Sequence, residues 1–468
     1  MQQLTSQQWA EQIFGKADLG DPRRTNRLKQ LAGDISDNVG LSIVKACSSS
    51  ASIEAAYRFI RNDNISYEAI AEAGFKHTSE LLQHVPLVLA IQDTTELSYE
   101  HNVTQELGNV SNSKTATSRK RSLHAHSTLM LDAHSEKTLG LANQQYWYRE
   151  NKIKGTPEAL QQRKFEDKET SVWMKCFDAI KSRVADVSNI IDVCDRGADI
   201  YEYLHYHQTN NHRFLVRAKE NRRLVDPEQS MLQLCESAQG QCCYTVDVKQ
   251  RGGRKARQAH MTLHYQAITL ATPRRLQGLA ALPVNVIICR EKDSDTDSPL
   301  RWILYTNEPI NSAEDAQRLV RYYELRWRIE EFHKTWKSEG TDVEKLRLHR
   351  VENIKRVAVI HAFVAVRIQQ LQEWGQNNEA AKEIACSCFV ENTTWQLLWM
   401  KVEKGKQLPN KIPSLYWFYY AIARLGGWYD SKRSGRVGVK ALWLGWNKLT
   451  EIVESAEMFK SLQQTQDL

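Results

Sequence analysis

Leu87-Val88-Leu89-Ala90-Ile91-Gln92-Asp93-Thr94-Thr95 begins as an unbroken apolar run and stops on a polar, acidic tail. A run this short, following Pro86, reads as a strand buried on both faces rather than as a helix. The pattern returns as Ile190-Ile191-Asp192-Val193-Cys194, followed by Asp195-Arg196-Gly197-Ala198-Asp199. Working outward, residues 123–131, 138–147, 213–217 and 302–306 read as further strands, and 171–184 as a helix. Antiparallel strands early and strands followed by helices later predict a mixed α/β sheet. Between about 220 and 300 the residues alternate, as in Cys243-Tyr244-Thr245-Val246 and His260-Met261-Thr262-Leu263. This predicts a β-rich insertion, with a basic turn at 249–255 and nothing helical before Ser312.

In such a sheet, ligands gather at the carboxyl ends of strands, where the reading puts Asp93 and Asp195. Either aspartate alone is as readily a turn or capping residue. A third carboxylate comes from Tyr323-Glu324-Leu325-Arg326-Trp327-Arg328-Ile329-Glu330-Glu331-Phe332-His333-Lys334-Thr335-Trp336-Lys337. This stretch has no Gly or Pro and reads as one helix with Leu325, Ile329, Phe332 and Trp336 on its apolar side. At about 100° per residue, Tyr323, Arg326, Glu330 and Lys337 fall within an arc of roughly 60°, in a row roughly 21 Å long. A solvated face with i,i+3 and i,i+4 pairs is the plainer reading of that row. Three carboxylates from distant parts of the chain would form an oxygen-rich site suited to Mg²⁺ or Mn²⁺ rather than Zn²⁺. Two such ions can clamp the attacking and leaving oxygens of a phosphoryl displacement. Glu96, Asp192, Asp199 and Glu331 are competing acids that spacing does not exclude.

Composition narrows the class. The 468 residues allow two to four domains. Apolar content of 41% and charged content of 25% are ordinary for a globular protein. A net charge of +7 makes the distribution of basic residues more telling than their sum. The nine cysteines include no CxxC pair, which points to a reducing compartment and away from zinc. A polar N-terminus and the lack of a long apolar run predict a cytoplasmic protein with no membrane segment.

Residues 1–70 read as short helices with basic faces: Arg23, Arg24, Arg27 and Lys29 on one opened by Asp21-Pro22, and Arg58 and Arg61 on another. Such faces suit contact with a DNA backbone. Residues 71–370 are expected to form the catalytic α/β domain, with a long helix over 354–374. Residues 371–468 read as a helical region whose tryptophans (Trp395, Trp399, Trp417, Trp428, Trp443, Trp446) serve a core first and an interface second.

Several islands, in order, resemble the DDE transposases of the IS-four family, most closely the Tn-five type. They are Leu19-Gly20-Asp21-Pro22-Arg23-Arg24-Thr25, Ala56-Tyr57-Arg58-Phe59-Ile60-Arg61-Asn62, Ile91-Gln92-Asp93-Thr94-Thr95 and Val193-Cys194-Asp195-Arg196 with Ala198-Asp199-Ile200. Trp327-Arg328-Ile329-Glu330-Glu331-Phe332-His333-Lys334, Ala421-Ile422-Ala423-Arg424-Leu425-Gly426-Gly427 and Asp430-Ser431-Lys432-Arg433 complete the set. The match is loose at 104–122, 151–171 and 386–411, and its register shifts by one residue between Lys337 and Glu344-Lys345.

The resemblance implies a ribonuclease H-like catalytic core with a β-rich insertion, between helical N-terminal and C-terminal domains. It makes Asp93, Asp195 and Glu330 the metal ligands of a two-metal Mg²⁺ site, with Mn²⁺ as a substitute. Tyr323, Arg326, Glu330 and Lys337 match the family's Y-x2-R-x3-E-x6-K signature. Trp302 matches a tryptophan that stacks on a base flipped from a DNA hairpin, although unaided it reads as a sheet-core residue. Arg217 and Lys219 are implied contacts near the cleaved end, Arg23, Arg24 and Arg27 fall in the implied end-recognition region, and Lys334, Arg347, Arg58 and Arg61 are expected as further DNA contacts. The implied partners are double-stranded DNA, both transposon inverted-repeat ends and target, and a second copy of the chain in a homodimer. No membrane and no small-molecule cofactor is expected, and the setting would be the bacterial cytoplasm, at the nucleoid through DNA. The implied reaction is cut-and-paste transposition. A nuclease without strand transfer, or a silent end-binding regulator, are the alternatives; neither needs every one of these features.

Overall fold

A computed structural model describes residues 5–107, 121–149, 163–248, 257–292, 299–376, 378–431 and 437–466. The expected basic turn at 249–255, and Lys432-Arg433, lie outside them. Five helices come first: α1 (Ser6–Phe14), α2 (Pro22–Asp37), α3 (Ile43–Ala46), α4 (Ser50–Ile60) and α5 (Tyr67–Leu82). Asp21 caps α2 by accepting from the Arg23 amide, with Pro22 in the first turn. Helix α5 runs across residue 70 and packs on the sheet.

The sheet contains β1 (Val88–Tyr99), β2 (Arg121–Asp132), β3 (Thr138–Trp147), β4 (Ile190–Cys194), β5 (Arg213–Arg217), β6 (Leu224–Asp226), β7 (Cys242–Val248), β8 (Arg257–Leu270), β9 (Leu282–Glu291) and β10 (Arg301–Thr306). Its order is β3-β2-β1-β4-β5-β10-β9-β8-β6, with β7 paired to β8. Strands β1, β4 and β5 are parallel neighbours and the remaining pairings are antiparallel. The 3-2-1-4-5 portion is the ribonuclease H-like core expected from the sequence. The insertion is β-rich, but it extends that same sheet through the β9–β10 pairing. It also contains a helix that the sequence reading left out, α8 (Met231–Ser237), opened by a capping box between Ser230 and Gln233.

Helices α6 (Val172–Lys181) and α7 (Tyr201–Thr209) cover one face of the sheet, where Cys194, Phe214, Val216 and Tyr305 are buried. The opposite face, with Ile91, Val193, Leu215 and Leu304, packs against α9 (Ala313–Leu325), α10 (Trp327–Lys334) and α11 (Val351–Gln376). Alternation along the strands produces this division. Helix α11 also joins the N-terminal helices. Arg356 donates to the carbonyls of Ile60 at 2.8 Å and Ile65 at 2.5 Å. Arg367 donates to the hydroxyls of Ser6 and Ser36 at 2.9 and 2.6 Å.

The C-terminal helices α12 (Asn378–Glu383), α13 (Asn392–Val402), α14 (Leu415–Leu425) and α15 (Val439–Gln466) have a core of their own. Trp395, Trp428 and Trp443 are buried, while Trp399, Trp417 and Trp446 are half-buried. Among the described residues, no helix is long and apolar enough to cross a membrane.

Candidate active site

Asp93 does not end its strand. β1 continues to Tyr99, paired with β2 throughout, so Asp93 lies inside a long strand and opposite Ser127. What ends near it is the parallel pairing with β4, whose final partners are Gln92 and Cys194. Asp195 follows β4 directly, and its Oδ1 accepts from the Gly197 amide at 2.7 Å. The two aspartates therefore emerge side by side where parallel strands part.

The helix expected over 323–337 is interrupted. α9 stops at Leu325, Arg326 forms the joint, α10 spans Trp327–Lys334, and Thr335–Glu339 is a π-helical turn. A π turn accommodates an additional residue within a helix, and it falls where the sequence register shifts. Ile329, Phe332 and Trp336 are fully buried, so the apolar side anchors this limb. Trp336 donates from its indole nitrogen to the Ala358 carbonyl at 3.0 Å, tying the π turn to α11.

These elements bring Glu330 to the aspartates. Arg326 stands among the acids: its guanidinium donates to Glu330 and lies 3.9 Å from Asp93 Oδ2. Burial first, and then the Asp195 carboxylate, push Asp93 up to about 7, partly offset by Arg326. His333, on the same limb, lies 3.8 Å from Asp93 Oδ2. Burial holds its imidazole down to about 3, so it is neutral, and its Nε2 makes no hydrogen bond. Sequence reading passed over His333, although its i+3 spacing from Glu330 was a usable signal. Lys337 lies 3.5 Å from both Glu344 and the Thr95 hydroxyl. It thus stays beside β1 despite the π turn.

Tyr323 is buried with its hydroxyl unbonded. Its ring lies 5.9 Å from the Arg326 guanidinium and 6.3 Å from the ring of Trp302. Trp302 is half-buried on β10, on the sheet face that also carries Asp93. Arg217 donates to the Arg301 carbonyl at 3.1 Å, on the neighbouring strand. Lys219 is exposed and 3.5 Å from Glu220. Lys334 is exposed and paired with Glu339 at 2.8 Å, and Arg347 is exposed.

The N-terminal basic residues form a separate surface. Arg23, Arg58 and Arg61 are exposed, Arg24 donates to the Leu19 carbonyl at 2.9 Å, and Arg27 is half-buried. The competing acids have other partners. Asp192 is fully buried beneath the sheet beside Gln92, Tyr203 and His207. Asp199 accepts from the Lys219 and Glu220 amides and pairs with Arg222. Glu96 accepts from Ser122, and Glu331 pairs with Arg328.

Asp93, Asp195 and Glu330 supply only carboxylate oxygens, and the Asp195 carboxylate adds to the burial that pushes Asp93 up. Both features fit a hard divalent cation. Among the described residues no three acidic, His or Cys side chains are drawn close enough to grip an ion as they stand. Arg326 supplies the countercharge instead.

Three family models match the chain. Residues 6–65 match one described as transposase DNA-binding, 172–367 one described as transposase DDE domain, and 363–466 one described as transposase Tn5 dimerisation domain. The chain belongs to the Tn5-type DDE transposases. The transposase is thus a DNA-cleaving and DNA-transferring enzyme with a DNA-binding region and a dimerisation region. Domains of this DDE type generally use divalent metals. Asp195 and Glu330 fall within the DDE match, whereas Asp93 lies before it.

Proposed function

We propose that this transposase performs cut-and-paste transposition with Asp93, Asp195 and Glu330 as its catalytic carboxylates. The observation that carries the proposal is that Arg326 bridges Asp93 and Glu330, while Asp195 lies close enough to Asp93 to add to the burial that pushes it up. Mg²⁺ or Mn²⁺, bound as a pair of ions, would activate water and neutralise charge on the phosphate under attack. Arg326 yields its place among the carboxylates when that charge arrives, and turns to a DNA phosphate together with Lys337. Tyr323, Arg217 and Lys219 hold the backbone on either side.

Water first cleaves the phosphodiester at the transposon end and frees a 3′-hydroxyl. That hydroxyl attacks the opposite strand, which leaves a hairpin on the element and releases the flanking DNA. A second water opens the hairpin, and the 3′-hydroxyl then joins target DNA. Each step is an in-line displacement with a different nucleophile, so one set of carboxylates serves all of them. Trp302 stacks on a base extruded at the hairpin, offsetting the few kcal/mol that extrusion costs. Arg23, Arg24, Arg27, Arg58 and Arg61 hold the end sequence, with Lys334 and Arg347 as further backbone contacts. Two protomers pair through the C-terminal helices, and each cuts the end that its partner binds.

The test is a cleavage assay on the inverted repeats flanking the gene, with Mg²⁺ or with EDTA, resolved on denaturing gels. Metal-dependent nicking at the element boundary, then hairpin, both absent in Glu330→Ala, is the expected result. Binding without cutting would make the protein a regulator, and cutting without hairpin a simple nuclease.

A further inference from the structure

Beneath the two aspartates, on the sheet face opposite their side chains, polar groups are bonded in a single directed chain. Asp192 is fully buried on β4, and its Oδ1 accepts from Gln92 Nε2 at 2.8 Å across the parallel β1–β4 pair. Because the Gln92 nitrogen faces that carboxylate, its Oε1 faces His126 Nε2, 2.9 Å away on β2. A carbonyl oxygen only accepts, so His126 carries its proton on Nε2 and leaves Nδ1 as a bare acceptor. The Thr94 hydroxyl, 2.7 Å from Nδ1, is therefore the donor there. Tyr203 donates to Asp192 Oδ2, which fixes the far end on α7; His207 Nε2 lies 3.1 Å from the same oxygen without a hydrogen bond to it.

Gln92 and Thr94 flank Asp93 on both sides, and Asp192 lies on the short strand that delivers Asp195. Trp173 on α6 adds a prop: its ring meets His126 edge-on at 4.6 Å. A methyl group added at Gly197, in the turn whose amide donates to Asp195, would meet the same indole at 3.0 Å.

We propose that Thr94, Gln92, His126 and Asp192 are positioning residues that fix the spacing of Asp93 and Asp195 for metal. The proposal rests on the reading of those two aspartates as ligands. Neither strand can slide or twist against the other without breaking a fully buried bond, and buried polar groups left unpaired are costly. The chain thus acts on a metal through the ligands it holds in place, as the hydrogen-bonded partners of metal ligands commonly do.

Mn²⁺ binding by titration calorimetry on the full-length protein, without DNA, tests it. Thr94→Val removes a single donor, Thr94→Ser restores it, His126→Phe keeps the ring against Trp173, and Asp93→Ala is the control. Thr94→Val and His126→Phe are expected to bind Mn²⁺ roughly tenfold more weakly, with Thr94→Ser at the wild-type value. Melting in EDTA identifies any variant that fails to fold, and Thr94→Val then carries the test. Wild-type Mn²⁺ affinity in Thr94→Val, with binding lost in Asp93→Ala, overturns the positioning role alone. Wild-type affinity in Asp93→Ala overturns the ligand reading and this proposal with it.

Discussion

Asp93 stands on β1 and Asp195 directly after β4, the parallel strand bonded to it, whereas Glu330 stands on a helix broken at Arg326 and relaxed into a π turn at Thr335. The sheet side is locked from below by buried hydrogen bonds. The helical side is held by apolar packing of Ile329, Phe332 and Trp336 and by one ion pair to Arg326. Packing fixes depth and tilt; the ion pair fixes where the carboxylate points. The contrast teaches that the two aspartates have a spacing set by the sheet, while the direction of the Glu330 carboxylate depends on a single ion pair.

The broadest test of that contrast removes each carboxylate in turn. Asp93→Ala, Asp195→Ala and Glu330→Ala should each lower cleavage by about 10³-fold or more, since a metal contributes several kcal/mol and 1.36 kcal/mol is a decade of rate. End binding, measured by gel shift, should stay near wild type in all three. Lost binding in every variant would mean that the carboxylates hold DNA rather than metal. Trp302 asks whether the sheet side also serves the substrate. Trp302→Ala should slow hairpin formation and opening more than nicking, by about tenfold, matching about 1–3 kcal/mol for a stacked base. Equal slowing of both would make it a packing residue.

Two histidines place the two scaffolds side by side. Burial holds His126, on the sheet, and His333, on the helix, down to about 3. Both are neutral in the fold and protonate near 6.5 once unfolded. The unfolded chain then binds more protons, so their contribution is present above about pH 6.5 and is lost as pH falls toward 3. His126→Phe and His333→Phe should each flatten that acid loss by up to about 1.4 kcal/mol per pH unit. Urea unfolding at pH 5 and pH 7 measures this, and an unchanged slope would mean that the ring is protonated in the fold. The smallest effect is expected at the joint. Arg326→Gln should raise Mn²⁺ affinity without DNA a few-fold, about 1 kcal/mol for a partly buried ion pair, while cleavage falls. Weaker binding would make Arg326 a support for Glu330 and not a stand-in for metal.

Much of this arrangement was legible because apolar runs and their ends coincide with the central strands. β3, β4 and β5 begin and end where the side chains change character. β1 was read short because Gln92 to Ser98 is largely polar, and only pairing with β2 along its whole length makes it a strand. No local signal reveals that Gln92 is wholly buried. Helix α8 was missed for its brevity, although Ser230 and Gln233 form a capping box visible in the sequence. The π turn has no propensity signature. The competing acids could be sorted only by their partners, as when Asp192 turns under the sheet and Asp199 turns to Arg222.

The two arginines that bind α11 to the N-terminal helices bear on how such a gene can be recombined. Arg356 and Arg367 are encoded in α11, after the helix of Glu330, yet the groups they satisfy, on Ile60, Ile65, Ser6 and Ser36, are encoded at the other end of the reading frame. A chimera joined at the apparent boundary keeps main-chain carbonyls for Arg356 to meet, but it loses the two hydroxyls that Arg367 uses unless serines stand at both positions. An exchange of the DNA-binding region between relatives therefore keeps the Arg367 contacts intact when α11 travels with it, as a discontinuous pair of segments.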